Sequence, residues 1–409
     1  MFIITAEGHS YFYNAIDNSI VDDDTINPDV EHYKFKPLGE INNLPEVCSF
    51  TLGVTERCNL RCSYCCYSGH YKEHRKHSSK QLPINDIKPV IDFMVKYSTK
   101  DVITVDFYGG ESLLKFDWVK EFVKNTRQTK DKTWEYELST NGILLNQEVV
   151  EWLVNNGFKI FVSVDGIEDD HDRCRKDAGG HNTFSRIYDN LTYIKSHYGS
   201  FWESNVNIMM TVQDITRLPG IAERWVSSPL FQDKMPYRIS EVSTVYNNET
   251  QRIDEETEIG KYIALVDWYK GHPDNGLIKT FFNIWLAEWI NRPIMELEEC
   301  EYPTCIPNNR KLYIDATGSI GICERISDAI RIGSLTQGID YTKVNSIAKS
   351  TASFIESHCS RCEIARVCDL CPDILKISDD IQETYCHNQK VIQRVKLRCF
   401  CELAEVDLI

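Results

Sequence analysis

The sequence has no run approaching the ~18 consecutive apolar residues that a helix needs to span a bilayer. Its opening stretch, MFIITAEGHSYFYN, has no basic flank, and Glu7 cuts short the only apolar burst at Phe2–Ile4, so it does not read as a secretory signal. Basic charge is in deficit: 45 Lys and Arg face 61 Asp and Glu, for a net charge of −16. That balance opposes nonspecific binding to nucleic acid or to an anionic membrane, because long-range repulsion acts against both. Low-complexity tracts and clear internal repeats are missing too. With 42% hydrophobic and 26% charged residues the chain has ample material for a core. What stands out is cysteine, at 16 residues. With neither signal nor span, the expected compartment is the cytoplasm, where thiols stay reduced and cysteine points to metal or catalysis rather than to disulfides.

Along the chain, residues 1–45 read as a short β element with turns at Glu7-Gly8 and near Asp22-Asp23-Asp24. Residues 46–230 alternate strand and helix. Strands are expected at 49–54, 102–108, 136–140, 159–164 and 206–212, with helices at 84–97, 116–126, 147–156 and 184–197. Such alternation specifies βα units around a parallel sheet. Residues 231–295 are expected to form a helical bridge, with Tyr262, Leu265, Trp268, Phe281, Trp285 and Trp289 at helical spacing. From 296 to 409 periodicity fades and ten of the 16 cysteines accumulate, the mark of a segment organised by metal.

Two cysteine patterns carry chemistry. Cys58, Cys62 and Cys65 form a C-x3-C-x2-C run directly after the strand expected at 49–54. Three thiolates can hold three corners of a [4Fe–4S] cubane, leaving one iron open to an exogenous ligand. A zinc site would want a fourth protein ligand. The second pattern is Cys305-x12-Gly318-x4-Cys323, followed by Cys359-x2-Cys362-x5-Cys368-x2-Cys371 and then Cys386, with Cys300 just upstream. Iron–sulfur clusters or a pair of zinc sites could both be built from it.

The first run, with Tyr64 at the aromatic position before Cys65, resembles the signature of the radical S-adenosylmethionine superfamily. Gly109-Gly110-Glu111, Ser139-Thr140-Asn141-Gly142 and Ser163-Val164-Asp165-Gly166 each end a strand and resemble that family's cofactor motifs. The resemblance implies an α/β fold, a partial (β/α)6 TIM-like barrel. It also implies that S-adenosylmethionine chelates the open iron through its amine and carboxylate and is cleaved reductively to a 5′-deoxyadenosyl radical. Cofactor-binding roles carry over to Tyr64, Gly109, Gly110, Glu111, Ser139, Asn141, Ser163 and Arg175, the last with Arg173 close by. The second pattern resembles the SPASM domain, a C-terminal cysteine-rich unit with two auxiliary [4Fe–4S] clusters. By that likeness Cys300, Cys305, Cys323 and Cys371 hold one cluster, and Cys359, Cys362, Cys368 and Cys386 the other. One spacing departs: two residues separate Cys368 from Cys371, where the family has three.

Eleven cysteines are thereby assigned, and Cys48, Cys66, Cys174, Cys399 and Cys401 are left without a role, Cys66 as a buried bystander and the last two as mobile tail thiols. Glu324, beside Cys323, matches the position of an acidic base in related sulfatase-maturing enzymes, against a plain reading as a solvated surface residue. The resemblance implies an oxidoreductase that cross-links side chains of a ribosomally made precursor peptide through a thioether, ether or carbon–carbon bond. An electron donor such as flavodoxin or ferredoxin would serve it. Three other readings stand beside this one. They are an anaerobic sulfatase-maturing enzyme forming formylglycine, a small-molecule enzyme, and a noncatalytic metal-binding or electron-carrying protein. The strand-end motifs weigh against the last.

Overall fold

A computed structural model describes residues 1–22, 34–44, 47–68, 75–242, 251–295, 299, 301–302, 304–305, 311–325, 330–368, 370–373 and 379–409. Strands β1 (Phe2–Ile4), β2 (Ser10–Asn14) and β3 (Ser19–Val21) make a small antiparallel sheet in that order. Six parallel strands follow, hydrogen-bonded to one another in chain order: β4 (Ser49–Thr55), β5 (Val102–Gly109), β6 (Thr133–Thr140), β7 (Lys159–Ser163), β8 (Val206–Val212) and β9 (Arg238–Glu241). Helices α1 (Ile87–Tyr97), α2 (Phe116–Thr126), α3 (Gln147–Asn155), α4 (Glu168–Cys174), α5 (Phe184–His197), α6 (Gly199–Asn205) and α7 (Leu218–Val226) run between them. These are the βα units and parallel sheet that the alternation specified, with the six strands of the partial (β/α)6 barrel that the resemblance implied.

The strands alternate rather than running apolar throughout. Phe50, Leu52, Val54, Ile103, Val105, Phe107, Leu138, Ile160 and Val162 are buried on one face. In β5, β6 and β7 the positions between them, including Thr104, Asp106, Tyr108, Glu137, Ser139 and Phe161, are half-buried, whereas Thr51 and Gly53 of β4 are buried as well. A parallel sheet covered on both faces by helices reads as continuous hydrophobic sequence. The period of two seen here instead gives the barrel a polar inner face.

The sixth strand lies past residue 230, inside the stretch expected to be helical. Its core is the four residues Arg238–Glu241, too short to register as a strand beside the longer apolar helices that follow. These are α8 (Glu255–Gly271), α9 (Gly276–Trp285) and α10 (Ala287–Ile290). The cysteine-rich segment also joins the same sheet. Strand β10 (Lys311–Ile314) pairs parallel with β4, and β11 (Ser319–Gly321), β12 (Arg331–Ser334) and β13 (Gly338–Ile339) continue antiparallel beyond it. The result is one ten-stranded sheet. Helix α1 reaches across to its far end, where Tyr97 Oη accepts from Ile339 N at 3.0 Å.

Two long helices close the chain, α11 (Tyr341–His358) and α12 (Asp379–Ala404). Cys399 and Cys401 lie in α12 and are only 0% and 2% exposed, so the expectation of mobile tail thiols fails. Nothing local to Cys399-Phe400-Cys401 announces that α12 has partners on several sides. Gln393 Oε1 accepts from Trp289 Nε1 at 2.9 Å, and buried Glu402 meets Lys270 Nζ at 2.8 Å. Glu402 also takes Ala6 N at 2.6 Å, while Glu405 takes Thr5 Oγ1, His9 Nδ1 and Tyr11 Oη at 3.0, 2.9 and 3.1 Å. The last helix therefore fastens the N-terminal sheet in place. Among the described residues no helix is long and apolar enough to cross a membrane.

Gly53 marks the seam between barrel and C-terminal strands. A Cβ there would lie 2.5 Å from the hydroxyl of Tyr313 on β10. Gly53→Ala is expected to cost about 1–3 kcal/mol by overpacking, seen as a lower urea midpoint at unchanged slope. An unchanged midpoint would show that Tyr313 gives way freely.

Candidate cofactor and metal site

The three-cysteine loop leaves the end of β4 and is pinned on two sides. Along one side it pairs with the segment after α4: Arg61 N donates to Lys176 O at 2.8 Å, Ser63 N to Cys174 O at 3.0 Å and Ala178 N to Asn59 O at 2.9 Å. On the other side Gly110 N donates to Thr55 O at 2.8 Å and Glu111 N to Arg57 O at 2.9 Å. This second contact explains the paired glycines. A Cβ on Gly109 would sit 2.4 Å from Thr55 O, one on Gly110 2.3 Å from Arg57 O, and Gly109 has φ +126°. The glycines let protein backbone approach protein backbone.

The Glu111 carboxylate is used in the same way. It is buried and accepts from Leu113 N at 3.1 Å, Thr140 Oγ1 at 2.9 Å and Asn141 N at 2.8 Å. Burial pushes its pKa up even though all three bonds favour the ionised form. Asn141 carries the link back to the loop, with its Nδ2 2.8 Å from Asn59 Oδ1 and 3.8 Å from Cys58 Sγ. The GGE and TNG segments thus act as one brace for the cysteine loop.

Each of the three sulfurs has a donor aimed at it. Cys58 Sγ accepts from Leu60 N at 3.3 Å, Cys65 Sγ from Tyr67 N at 3.4 Å and Cys62 Sγ from Arg175 Nη1 at 3.8 Å. Burial pushes the Cys58 thiol up to about 12 and the Cys62 thiol to about 11. Burial disfavours the thiolate form, so ionising these sulfurs needs positive charge beside them. Three half-buried sulfurs with amide and guanidinium donors in place fit a metal cluster whose thiolate charge must be balanced. Cys66 is half-buried beside them.

Arg175 belongs to a second constellation, centred on a residue that sequence reasoning quoted but did not single out. Asp165, just past β7, accepts from Arg175 Nε at 2.7 Å, from Thr211 N at 2.9 Å and from the Tyr64 hydroxyl. Arg175 is buried while Arg173 is exposed, which separates the two neighbouring arginines. His171 is fully buried; its Nδ1 accepts from Asp165 N at 3.3 Å and its Nε2 faces Thr183 Oγ1 at 3.2 Å. Burial, then the nearby Arg175 charge, lowers its pKa to about 4, so it is neutral. Asp172 Oδ1 accepts from Thr183 N at 2.7 Å and Phe184 N at 3.0 Å, at the start of α5. The spacing of SVDG to HD and then Arg was the available signal, and its meaning lies in these contacts.

Ser139 turns into the barrel, where its hydroxyl donates to Asp106 Oδ1 at 3.1 Å. Asp106 is pushed up to about 7, chiefly by burial. Ser163 is half-buried at the end of β7, in register with Met209.

In the C-terminal region an isolated parallel bridge joins Thr304 to Leu370, and Cys305 and Cys371 each follow it by one residue. Cys359, Cys362 and Cys386 are close enough that each of Cys362 and Cys386 raises the Cys359 thiol, after burial, to about 12. Cys323 and Cys368 are half-buried, Cys305 is exposed, and Cys300 lies outside the described residues. Glu324 is no solvated surface glutamate. Its carboxylate is 14% exposed and meets Lys311 Nζ at 2.6 Å, and Arg75 holds its carbonyl. Burial acts to raise its pKa, but the Lys311 charge outweighs it and keeps the group ionised.

Residues 52–216 match the family model described as the Radical SAM superfamily. Those residues form a radical SAM domain. The chain is 22% identical over 354 residues to the radical SAM cyclopropyl synthase TigE of Paramaledivibacter caminithermalis, covering 83% of this chain and 71% of that relative. It is 30% identical over 163 residues to a serine-type anaerobic sulfatase-maturating enzyme of Bacteroides thetaiotaomicron, a match spanning 38% of this chain and 37% of that protein. Among solved structures, native anSMEcpe with bound AdoMet and Cp18Cys peptide superposes with a TM-score of 0.63 at 18% identity, covering 88% of this chain and 98% of that one. Streptococcus suis SuiB bound to precursor peptide SuiA gives 0.54 at 14% identity, covering 82% and 74%. At these identities the structures share the fold.

Asp106 gives a stability test of the barrel interior. Its folded-state pKa, about 7, lies above the ordinary 3.8, so ionising it inside the fold is unfavourable. Stability is then full below the ordinary value and is lost as pH rises towards the folded one. Asp106→Asn is expected to unfold about 1–3 kcal/mol later than the native chain at about pH 8, the gap closing by about pH 4. A pH-independent difference would place Asp106 in ordinary solvent.

Proposed function

We propose that this radical SAM enzyme is a maturase of a ribosomally made precursor peptide, closing an oxidative cross-link between side chains as a thioether, ether or carbon–carbon bond. The observation that carries the reading is the loop of Cys58, Cys62 and Cys65, three sulfurs each with its own donor, held at the strand-end mouth of a polar barrel. Those cysteines would hold one [4Fe–4S] cluster, with S-adenosylmethionine beside it among Tyr64, Gly109–Glu111, Ser139, Asn141, Ser163 and Arg175. Together the cluster and S-adenosylmethionine supply a 5′-deoxyadenosyl radical when an electron arrives from a donor such as flavodoxin or ferredoxin.

The chain's own residues orient and exclude. The two ladders fix the cysteine loop, and the helix-covered strands keep bulk water from reaching the interior from outside. Cys300, Cys305, Cys323 and Cys371, and Cys359, Cys362, Cys368 and Cys386, would hold two auxiliary clusters in a SPASM-type unit. Strand β10 of that segment pairs with β4, the strand that leads into the Cys58–Cys65 loop, which supports a unit joined directly to the barrel. Such clusters could take the second electron as the cross-link closes, with the net loss of two hydrogens from the peptide. The solved structures of anSMEcpe and SuiB, which share this fold, each hold a peptide, and this supports a peptide substrate. The small N-terminal sheet is a surface where a leader could dock.

A second reading, formylglycine formation on a cysteine or serine, is favoured by the sulfatase-maturase likenesses and by Glu324 next to Cys323. Against it, the Glu324–Lys311 ion pair must open before that carboxylate can take a proton from substrate.

Anaerobic reconstitution with iron and sulfide, followed by dithionite and S-adenosylmethionine, is expected to yield 5′-deoxyadenosine. Replacing Cys58, Cys62 and Cys65 by alanine should abolish it and reduce bound iron by about a third, one of three clusters. An intact cluster on this loop that gives no 5′-deoxyadenosine would overturn the enzymatic reading. A short peptide encoded beside this chain should lose two hydrogens in mass; conversion of a cysteine or serine to an aldehyde would select the second reading.

A further inference from the structure

We propose that Asp165 is a positioning residue for the cysteine loop, holding the Arg175 guanidinium against Cys62 and thereby setting the reduction potential of the cluster there. The inference rests on the radical SAM reading above and assigns a task to a residue that reading leaves unused. Its basis is geometric. Arg175 is 8% exposed and Asp165 4% exposed, so this is a buried ion pair. The guanidinium spans two partners, with Nε on Asp165 Oδ2 at 2.7 Å and Nη1 on Cys62 Sγ at 3.8 Å. Asp165 is itself fixed from three directions, by Thr211 N at 2.9 Å, by the Tyr64 hydroxyl, and through its own N–H to neutral His171 at 3.3 Å. Tyr64 lies under the same guanidinium, 5.4 Å from ring centre to Cζ.

Breaking a buried pair by removing one partner leaves the other charge unpaired and strongly disfavoured in place. Without Asp165 the guanidinium is expected to swing away, taking its N–H from Cys62. Net charge and hydrogen bonds to sulfur set cluster potentials, and both a nearby cation and a donor to thiolate favour the reduced state. Removing Asp165 therefore has two effects of opposite sign. Loss of its negative charge alone would raise the potential, whereas loss of the positioned arginine would lower it.

The test is an EPR-monitored redox titration of the reconstituted protein, with S-adenosylmethionine as the only added ligand. The auxiliary cysteines are left intact and the radical-site signal is identified by its change on S-adenosylmethionine addition. Asp165→Asn is nearly isosteric and can still accept from Thr211 N. It is expected to lower the radical-site potential, as Arg175→Met does, and the double variant should fall no further than Arg175→Met alone. Arg175→Lys keeps the charge but loses the forked geometry, so it too should lower the potential, which serves if Asp165→Asn does not fold. S-adenosylmethionine affinity should weaken about tenfold in each, the usual scale for losing an outer-sphere partner. A raised potential in Asp165→Asn, additive shifts in the double variant, or an unshifted Arg175→Lys overturns the proposal. Native protein that assembles no S-adenosylmethionine-responsive cluster would instead overturn the reading on which it rests, and the proposal with it.

Discussion

A loop carrying three cysteines does not organise itself around thiolates, since burial in a protein interior opposes their ionisation. Here the backbone does the positioning instead. One ladder runs from Arg61, Ser63 and Ala178, and another from Gly110 and Glu111, and between them they fix the backbone of the loop. Everything else around the site serves those ladders. The glycines remove the Cβ atoms that would hold the second ladder open, and Glu111 and Asn141 tie the next strand to it. Segment 174–178, which makes the first ladder, is in turn fixed by Asp165, His171 and Thr183.

This arrangement changes what the strand-end motifs mean. Read one at a time, a glycine pair and a glutamate after a strand look like a ligand pocket. In the folded chain their backbone and carboxylate also meet other protein groups, so they shape the loop as well. The same holds for Ser139, whose hydroxyl points at Asp106 inside the barrel. A site of this kind tolerates little local change, because each side chain supports a neighbour that supports a sulfur.

Much of the barrel could be read directly. Strands β4, β5, β7 and β8 and helices α1, α2, α3 and α5 fall where period-two and helical spacing placed them, because each spans at least a full repeat of its own pattern. The short β9 could not, having only Arg238–Glu241 to announce it. Cys399 and Cys401 were misread for a different reason. Their helix is buried by Trp289, Lys270 and the N-terminal strands, partners far away in sequence. Glu324 likewise looked solvated until Lys311, on a neighbouring strand, was brought against it.

What the sequence determined by itself was local and periodic: the alternating elements, the cysteine spacings and the glycines whose conformations follow from lacking a Cβ. Those depend on residues a few positions apart, and spacing encodes them. Only the tertiary structure decided that β10 extends the barrel sheet, that Arg175 rather than Arg173 is buried, and that Asp165 joins Tyr64, Arg175 and Thr211. Such pairings turn on which groups remain unsatisfied once the backbone is packed, and a buried charge accepts whatever partner the fold delivers. No spacing rule records that choice, because it is made across distances of more than a hundred residues, as between Arg175 and Cys62.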